Sequence, residues 1–178
     1  MAITLGTNDK ALRDLLDEIT KPADKAELKT QIKKIRDLAL MHPHSIALVE
    51  ENIPGSPTYT CYGHSFGLVG VYVDSVVQRY PGRDFVQSLV DAYLQEVSPE
   101  RAEEGDHVLY FGQQLEHAAK IKGAVIESKW GKGHLWSHPA YELPQKYGNS
   151  IRFFRQISRD EAIAAFRDFY PCGDFVTP

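Results

Sequence analysis

The first third of the chain has the apolar spacing of two helices. Leucine and isoleucine recur every three or four residues between positions 12 and 19, after three polar residues at 7–9 that can cap a helix start. A break at Pro22 separates this stripe from a second one that runs to Met41, with Asp24 as its cap. The pattern predicts two amphipathic helices that bury one face each.

Two further helices are predicted in the middle of the chain. Residues 52–60 are rich in Pro, Gly and Ser and form a loop that leads to an apolar segment from Cys61 to about Arg79. After a turn at 80–82, apolar residues at helical spacing continue from 85 to 94.

The hydrophobic period changes after residue 105 from that of a helix to that of a strand. Four short segments there are rich in β-branched and aromatic residues: 106–112, 117–121, 124–130 and 151–157. Lys122 and Gly123 suit a two-residue hairpin turn, and Ser158 with Glu161 forms a capping box for a last helix through Phe166. Helices followed by an antiparallel sheet predict an α+β fold.

The length of the chain predicts one domain, because domains commonly hold about 100–200 residues. Within it we distinguish a helical segment at 1–51, a core at 57–157, and a terminal helix and tail at 158–178. Hydrophobic residues make up 43% and charged residues 25%, which is ordinary for a globular protein. The net charge of −4 disfavours nucleic acid as a partner, since phosphate binding needs clustered Lys and Arg.

Signals for membrane insertion or export are not visible in the sequence. No stretch of about 18 apolar residues occurs, and the N-terminus has no basic segment followed by an apolar run. We therefore expect a cytoplasmic protein without membrane association, in which Cys61 and Cys172 stay reduced. A protein exported by a route that needs no N-terminal signal would have the same sequence features. The sequence does not indicate the oligomeric state.

Cys61 is the candidate nucleophile, because a polar loop delivers it to the predicted start of an apolar helix. Unpaired backbone N–H groups at a helix start favour a thiolate and can donate to an oxyanion. Gly63 and Gly67 are poor helix formers, which suggests that something approaches this helix closely. A cysteine among apolar residues can also be a buried small hydrophobe, so the interpretation needs a histidine partner.

His117 supplies this partner as the candidate general base, at the start of the second predicted strand. The order is a helix-start cysteine in Thr60-Cys61-Tyr62-Gly63, a strand opened by Gly105-Asp106, and a histidine in the segment 117–123. This order resembles NlpC-type and CHAP-type papain-like cysteine peptidases over about residues 57 to 157. The resemblance implies a catalytic helix packed on a small antiparallel sheet, and cleavage of peptide or amide bonds through an acyl-thioester.

The resemblance also implies a polar residue on the strand after the histidine. With Lys122 and Gly123 as the turn, counting outward pairs His117 with Ser128, which makes Ser128 the candidate third catalytic residue. A one-residue change of register would bring Glu127 or Lys129 opposite instead. Family members more often carry His, Asn or Asp here.

Three further residues are candidates for contacts with the substrate. The Tyr59 side chain can assist the Cys61 N–H in stabilising an oxyanion, and His64 lies one helical turn beyond Cys61, where it competes with His117 as the base. Trp130 either forms part of a substrate-binding rim or pins its loop to the core together with Trp136.

The histidines also raise the question of a metal. A zinc site with His134, His138 and Cys61 lacks a fourth ligand, and His42 and His44 flank a proline in what reads as a surface turn. We therefore predict no metal and no cofactor.

The predicted function is a cysteine hydrolase that acts on a peptide or amide substrate, with bacterial cell-wall peptides as one substrate class. Cys61 attacks the carbonyl carbon, and His117 takes the proton and later activates water. Alternatives are an acyltransferase or transamidase on the same scaffold, a catalytically silent papain-like binding domain, and a metal-binding protein. A permuted arrangement with Cys172 as nucleophile is disfavoured, because the sequence around it does not resemble a helix start.

Overall fold

The computed structural model describes residues 3–21, 25–52, 59–74, 78–131, 133–171 and 174–177. The predicted cap Asp24 and the second cysteine, Cys172, lie outside these residues. The helices are α1 (Lys10–Ile19), α2 (Lys25–Leu38), α3 (Cys61–Ser65), α4 (Arg83–Ala92) and α5 (Arg159–Phe169), with short 3-10 turns at Pro99–Arg101 and Gln145–Tyr147. The strands are β1 (Ala47–Glu50), β2 (Tyr72–Asp74), β3 (Glu96–Val97), β4 (His107–Phe111), β5 (Leu115–Lys122), β6 (Val125–Lys129), β7 (Leu135–His138), β8 (Ser150–Phe154) and β9 (Asp174–Val176).

Seven strands form one antiparallel sheet in the order β1-β7-β6-β5-β4-β8-β3, while β2 and β9 pair separately. The four predicted strands correspond to β4, β5, β6 and β8, which confirms the α+β class with an antiparallel sheet. Strands β4 to β7 follow one another as a meander, so β5, which carries His117, lies at the centre of the sheet.

Helices cover both faces of this sheet, because the central strands are apolar on both faces. On β4, Val108 and Tyr110 face a core cluster that includes residues of α1 and α2. Leu109, on the other face, joins a cluster with residues of α3, α4 and α5. The N-terminal helices therefore build part of the same core as the sheet, and the molecule has three layers.

Two of the predicted helix starts have their expected caps. Asp9 caps α1 by accepting hydrogen bonds from the backbone N–H groups of Ala11 and Leu12. Ser158 and Glu161 form the predicted capping box at the start of α5. Side-chain acceptors for the otherwise unpaired N–H groups fix where these helices begin.

The prediction of a long helix from Cys61 to about Arg79 is wrong. Helix α3 has only 5 residues and ends at Ser65, and the chain turns at Gly67 with a φ of 67° before it enters β2. An L-residue with a side chain rarely adopts this left-handed conformation. Gly67 therefore ends the helix and does not serve to let another group approach it closely.

The β5–β6 hairpin differs from its prediction by one residue at the turn. Lys122 pairs with Val125, which makes Gly123 and Ala124 the turn residues, and Gly123 takes a φ of 59°. Ile121 therefore pairs with Ile126, not with Ala124 as predicted. The shift moves every cross-strand partner by two residues and leaves each side chain on the same face.

Strands β1 and β7 were not predicted, and they complete one edge of the sheet. The tryptophan-rich loop contains β7, which pairs with β6 on one side and with the edge strand β1 on the other. In the part of the chain that the structure describes, no helix has the length and apolar character needed to cross a membrane.

Candidate active site

Cys61 is the first residue of α3, as its candidate role requires. Thr60 caps the helix by accepting a hydrogen bond from the N–H of Gly63 at 3.0 Å. The Thr60 hydroxyl in turn donates to the carbonyl of Pro81 at 2.8 Å, which ties Thr60 to the segment just before α4. The position of the thiol is therefore set by hydrogen bonds on both sides of the helix start.

The Cys61 sulfur lies among backbone N–H groups but in a strongly desolvating place. The N–H groups of Ala118, Tyr62 and Cys61 itself favour the thiolate, yet burial outweighs them and raises the pKa of Cys61 to about 11. The thiol is therefore protonated at neutral pH in the resting protein, although a helix start by itself favours the thiolate. A helix of 5 residues contributes little dipole, and the local N–H groups do not offset the burial.

The alkylation rate of Cys61 should rise about tenfold per pH unit between pH 7 and pH 10, without a plateau, because only the thiolate reacts. A Cys172→Ser variant makes Cys61 the single thiol, and intact mass after timed iodoacetamide treatment gives the rate constant. A plateau below pH 8 would show that the thiol titrates near neutrality and contradict this environment.

His117 is fully buried on β5, opposite Tyr110 of β4. The Tyr147 ring stacks on the imidazole with centroids 3.9 Å apart and an interplanar angle of 15°. Neither ring nitrogen has a hydrogen-bond partner among the described residues. Burial, followed by the nearby His138, His64 and Lys146, holds the pKa of His117 well below its usual value of 6.5. The imidazole is therefore neutral at physiological pH.

Two consecutive residues of β5 concern the candidate site: His117 is the candidate base, and the N–H of Ala118 contacts the Cys61 thiol. The β5–β6 ladder covers only residues 120–122 and 125–127, so Ala118 has no ladder partner on β6, and its N–H is directed at the Cys61 sulfur. His117 is the preceding residue and points to the opposite face, which carries Tyr110. His117 therefore faces the α1 and α2 side of the sheet, whereas Cys61 packs with α3 on the Leu109 side, and the imidazole makes no hydrogen bond to the thiol.

The hydroxyl of Ser128 contacts His138 and Trp130, not His117. Ser128 shares the sheet face of His117, but the register of the hairpin places it two residues away from the predicted pairing. Its Oγ lies 2.8 Å from Nε2 of His138 and accepts a hydrogen bond from Nε1 of Trp130 at 2.9 Å. His138 Nδ1 lies 2.8 Å from the Pro139 carbonyl, so Nδ1 carries the proton and Ser128 donates to Nε2. The predicted pairing of Ser128 with His117 is wrong.

The alternative third residues, Glu127 and Lys129, lie on the other face of β6. Lys129 is buried, donates to the Gly133 carbonyl at 2.7 Å, and places its ammonium 4.3 Å from the centre of the Tyr59 ring. Residues at odd positions of β6 face α3, because side chains alternate along a strand. Neither residue is placed to orient His117.

Tyr59 and His64 lie together beside the start of α3, with ring centroids 6.2 Å apart. Burial, followed by charge from Lys120 and Lys129, lowers the pKa of His64 to about 4, so its imidazole is neutral too. Its Nε2 has no hydrogen-bond partner among the described residues. His64 is therefore a neutral imidazole on the same short helix as Cys61.

Trp130 is only 1% exposed and packs against Trp136, with ring centroids 5.5 Å apart. Together with its hydrogen bond to Ser128, this favours the role of pinning the loop to the core over that of a substrate-binding rim.

Three buried residues of this region were not predicted as site residues: Tyr110, Tyr147 and Arg13. The hydroxyl groups of Tyr110 and Tyr147 have no hydrogen-bond partner among the described residues. Tyr147 and Gly148 look like an ordinary turn in the sequence, so only the folded chain shows that this turn lies over His117.

A metal centre finds no support in the arrangement of the side chains. Within the described ranges, no group of three or more His, Cys, Asp or Glu side chains is placed to hold a metal ion. His134 and His138 are each engaged with backbone groups, His134 with Leu28 and Asn52, and His138 with Pro139.

Comparison with known proteins gives no assignment. The chain matches no family model, no curated protein and no solved structure.

Proposed function

We propose that this protein is a cysteine hydrolase of peptide or amide bonds, with Cys61 as nucleophile and His117 as general base. The observation that carries the proposal is a buried imidazole with two unpartnered nitrogens, one residue away from the N–H that is directed at the Cys61 sulfur. Leaving a buried polar atom unsatisfied costs about 1–3 kcal/mol, which packing alone gives no reason to retain.

The neutral resting pair implies proton transfer during attack and not beforehand. As the sulfur bonds to the carbonyl carbon, the thiol proton passes to His117, and the Cys61 N–H stabilises the oxyanion. His117 then gives this proton to the leaving amine as the carbon–nitrogen bond breaks. Water, deprotonated by His117, attacks the thioester, and the sulfur leaves and regains a proton.

The proposed transfer requires substrate binding to bring the thiol past Ala118 to the imidazole, because the two groups lie on different faces of β5 and are not hydrogen-bonded at rest. The resemblance to NlpC-type and CHAP-type peptidases gives the same two roles to Cys61 and His117. Cell-wall peptides are one substrate class that this resemblance suggests.

Treatment with p-nitrophenyl acetate should produce a burst of nitrophenolate and an acetyl group on Cys61, detected by intact mass and peptide mapping. Cys61→Ala should abolish both signals, and the matched variant Cys172→Ala should keep them. His117→Ala should slow acylation about 100-fold or more, because it removes the general base. An acetyl group on Cys61 that forms equally fast in His117→Ala would refute the assigned base.

The fate of the acyl group separates two enzyme classes on this scaffold. A hydrolase releases acetate at the same rate when glycinamide is added, whereas an acyltransferase forms N-acetylglycinamide in its place.

A catalytically silent binding domain is the second candidate. The observations that favour it are the pKa of about 11 for Cys61 and the missing hydrogen bond between the thiol and His117. Absence of a Cys61 adduct with any activated ester, in protein shown to be folded, would support this candidate.

A further inference from the structure

The turn at Gln145–Tyr147 is built to hold one aromatic ring against His117. Tyr147 is 8% exposed, and its ring lies parallel to the imidazole. Its hydroxyl lies near Gly131, since a Cβ atom built on that glycine would be 3.9 Å from the hydroxyl oxygen. The hydroxyl has no acceptor at hydrogen-bond geometry in the described part of the chain.

The backbone after Tyr147 is fixed from two sides. Gly148 takes a φ of 98°, and a Cβ added to it would lie 2.3 Å from the Phe111 carbonyl oxygen, so this position requires glycine. The N–H of Asn149 donates to the same carbonyl at 3.1 Å. From the opposite side, Arg13 of α1 donates to the Gly148 carbonyl at 2.6 Å. The ring of Tyr147 is therefore held in place by β4 and by the N-terminal helix.

Hydrogen bonds do not orient His117 in this structure. Both of its nitrogens are unpartnered, and the hydroxyl hydrogen of Ser128 is already donated to His138. Ring contacts with Tyr147 and, at 5.7 Å and 48°, with Tyr110 take the place of the polar residue that was predicted for this task. Of the two, only Tyr147 lies parallel to the imidazole.

We propose that Tyr147 positions the His117 imidazole by stacking and that its hydroxyl donates a hydrogen bond to the carbonyl oxygen of the bound substrate. This inference rests on the function proposed above and adds a residue to its site. The hydroxyl keeps its proton throughout and only stabilises the charge that develops on the oxygen. Burial raises the pKa of Tyr147 well above 10.0, so the hydroxyl is protonated and can donate.

Two variants of Tyr147 separate the hydroxyl from the ring. Tyr147→Phe keeps the stacked ring and removes the donor, so acylation by p-nitrophenyl acetate should slow about 100-fold while His117 keeps its titration. Tyr147→Leu removes the ring and admits water to the imidazole, so the pKa of His117 should rise towards its usual value of 6.5. The titration is followed by NMR of the imidazole nitrogens, and Tyr93→Phe on the exposed end of α4 is the matched control with unchanged behaviour.

Each part of the inference has a result that overturns it. If Tyr147→Phe is acylated at the wild-type rate, the hydroxyl has no part in the mechanism. An unchanged titration of His117 in Tyr147→Leu, or in Tyr147→Met if the leucine variant does not fold, removes the positioning role. If wild-type protein forms no acyl-enzyme, the proposed function and the donor role fall together, whereas the NMR titration still decides whether Tyr147 controls His117.

Discussion

Between pH 8 and pH 5 the protein should lose about 6 kcal/mol of unfolding free energy, which is enough to unfold many domains. The largest contributions come from three fully buried, neutral imidazoles: His107, His117 and His138. Burial lowers the pKa of His107 to about 3 and of His138 to about 4, and that of His117 lies well below its usual value. Each would take up a proton readily in the unfolded chain but not in the folded one.

The direction of the effect follows from this difference in proton binding. Well above pH 6.5 the imidazoles are neutral in both states, so the free energy of unfolding does not depend on them. Below that value the unfolded chain binds protons that the folded protein excludes, and stability falls with each step towards the folded-state pKa values. Three such groups give a slope that approaches about 4 kcal/mol per pH unit.

Urea unfolding at a series of pH values measures this slope, and the buried Trp130 and Trp136 report it by fluorescence. The free energy of unfolding should be nearly constant between pH 8 and pH 7 and should fall steeply below pH 6.5. In His107→Gln the number of protons taken up on unfolding should fall by about one, and the slope should decrease accordingly, even if the variant is less stable at every pH. A free energy that stays flat down to pH 5 would mean that these imidazoles are not excluded from water.

Local patterns were sufficient for much of the fold. Apolar spacing with a side-chain cap marked α1 and α5, and the alternation of β-branched residues marked β4, β5, β6 and β8. Helix α3 was overestimated, because apolar residues after Gly67 continue a helical spacing that the left-handed turn interrupts. Short edge strands such as β1 were missed, since their conformation depends on pairing with β7 and not on their own sequence.

The candidate site shows the same division between local and long-range information. The order of Cys61 and His117 could be taken from the sequence, but the environment that keeps both groups neutral comes from burial by the whole fold. Ser128 was assigned to the correct face because the error in the turn left the alternation intact. Tyr147 was missed, since nothing local links residues 117 and 147, which are brought together by the turn at Gly148.

Replacing Arg13 with Ala should cost about 3–5 kcal/mol of unfolding free energy and release the turn that carries Tyr147. Arg13 is fully buried, and its guanidinium donates to the carbonyls of Leu143 and Gly148 and to the side-chain oxygens of Asn8 and Asn149. It forms no salt bridge among the described residues, so its hydrogen-bond acceptors are neutral oxygens, and Asp17 and Asp14 favour its charge from a greater distance. Removing it leaves the carbonyls of the buried residues Leu143 and Gly148 without this donor.

Arg13→Lys tests whether the shape of the guanidinium matters as well as its charge. A lysine ammonium cannot reproduce the forked donors that bridge the Leu143 and Gly148 carbonyls, so we expect a loss of about 2–3 kcal/mol. Lys10→Ala in the same helix removes an exposed ion pair with Asp14 and should leave the urea midpoint unchanged within error. In folded Arg13→Lys, the His117 titration should shift in the direction expected for Tyr147→Leu, because the ring loses its anchor. A stable Arg13→Lys protein with an unchanged His117 titration would mean that the turn holds Tyr147 without help from the N-terminal helix.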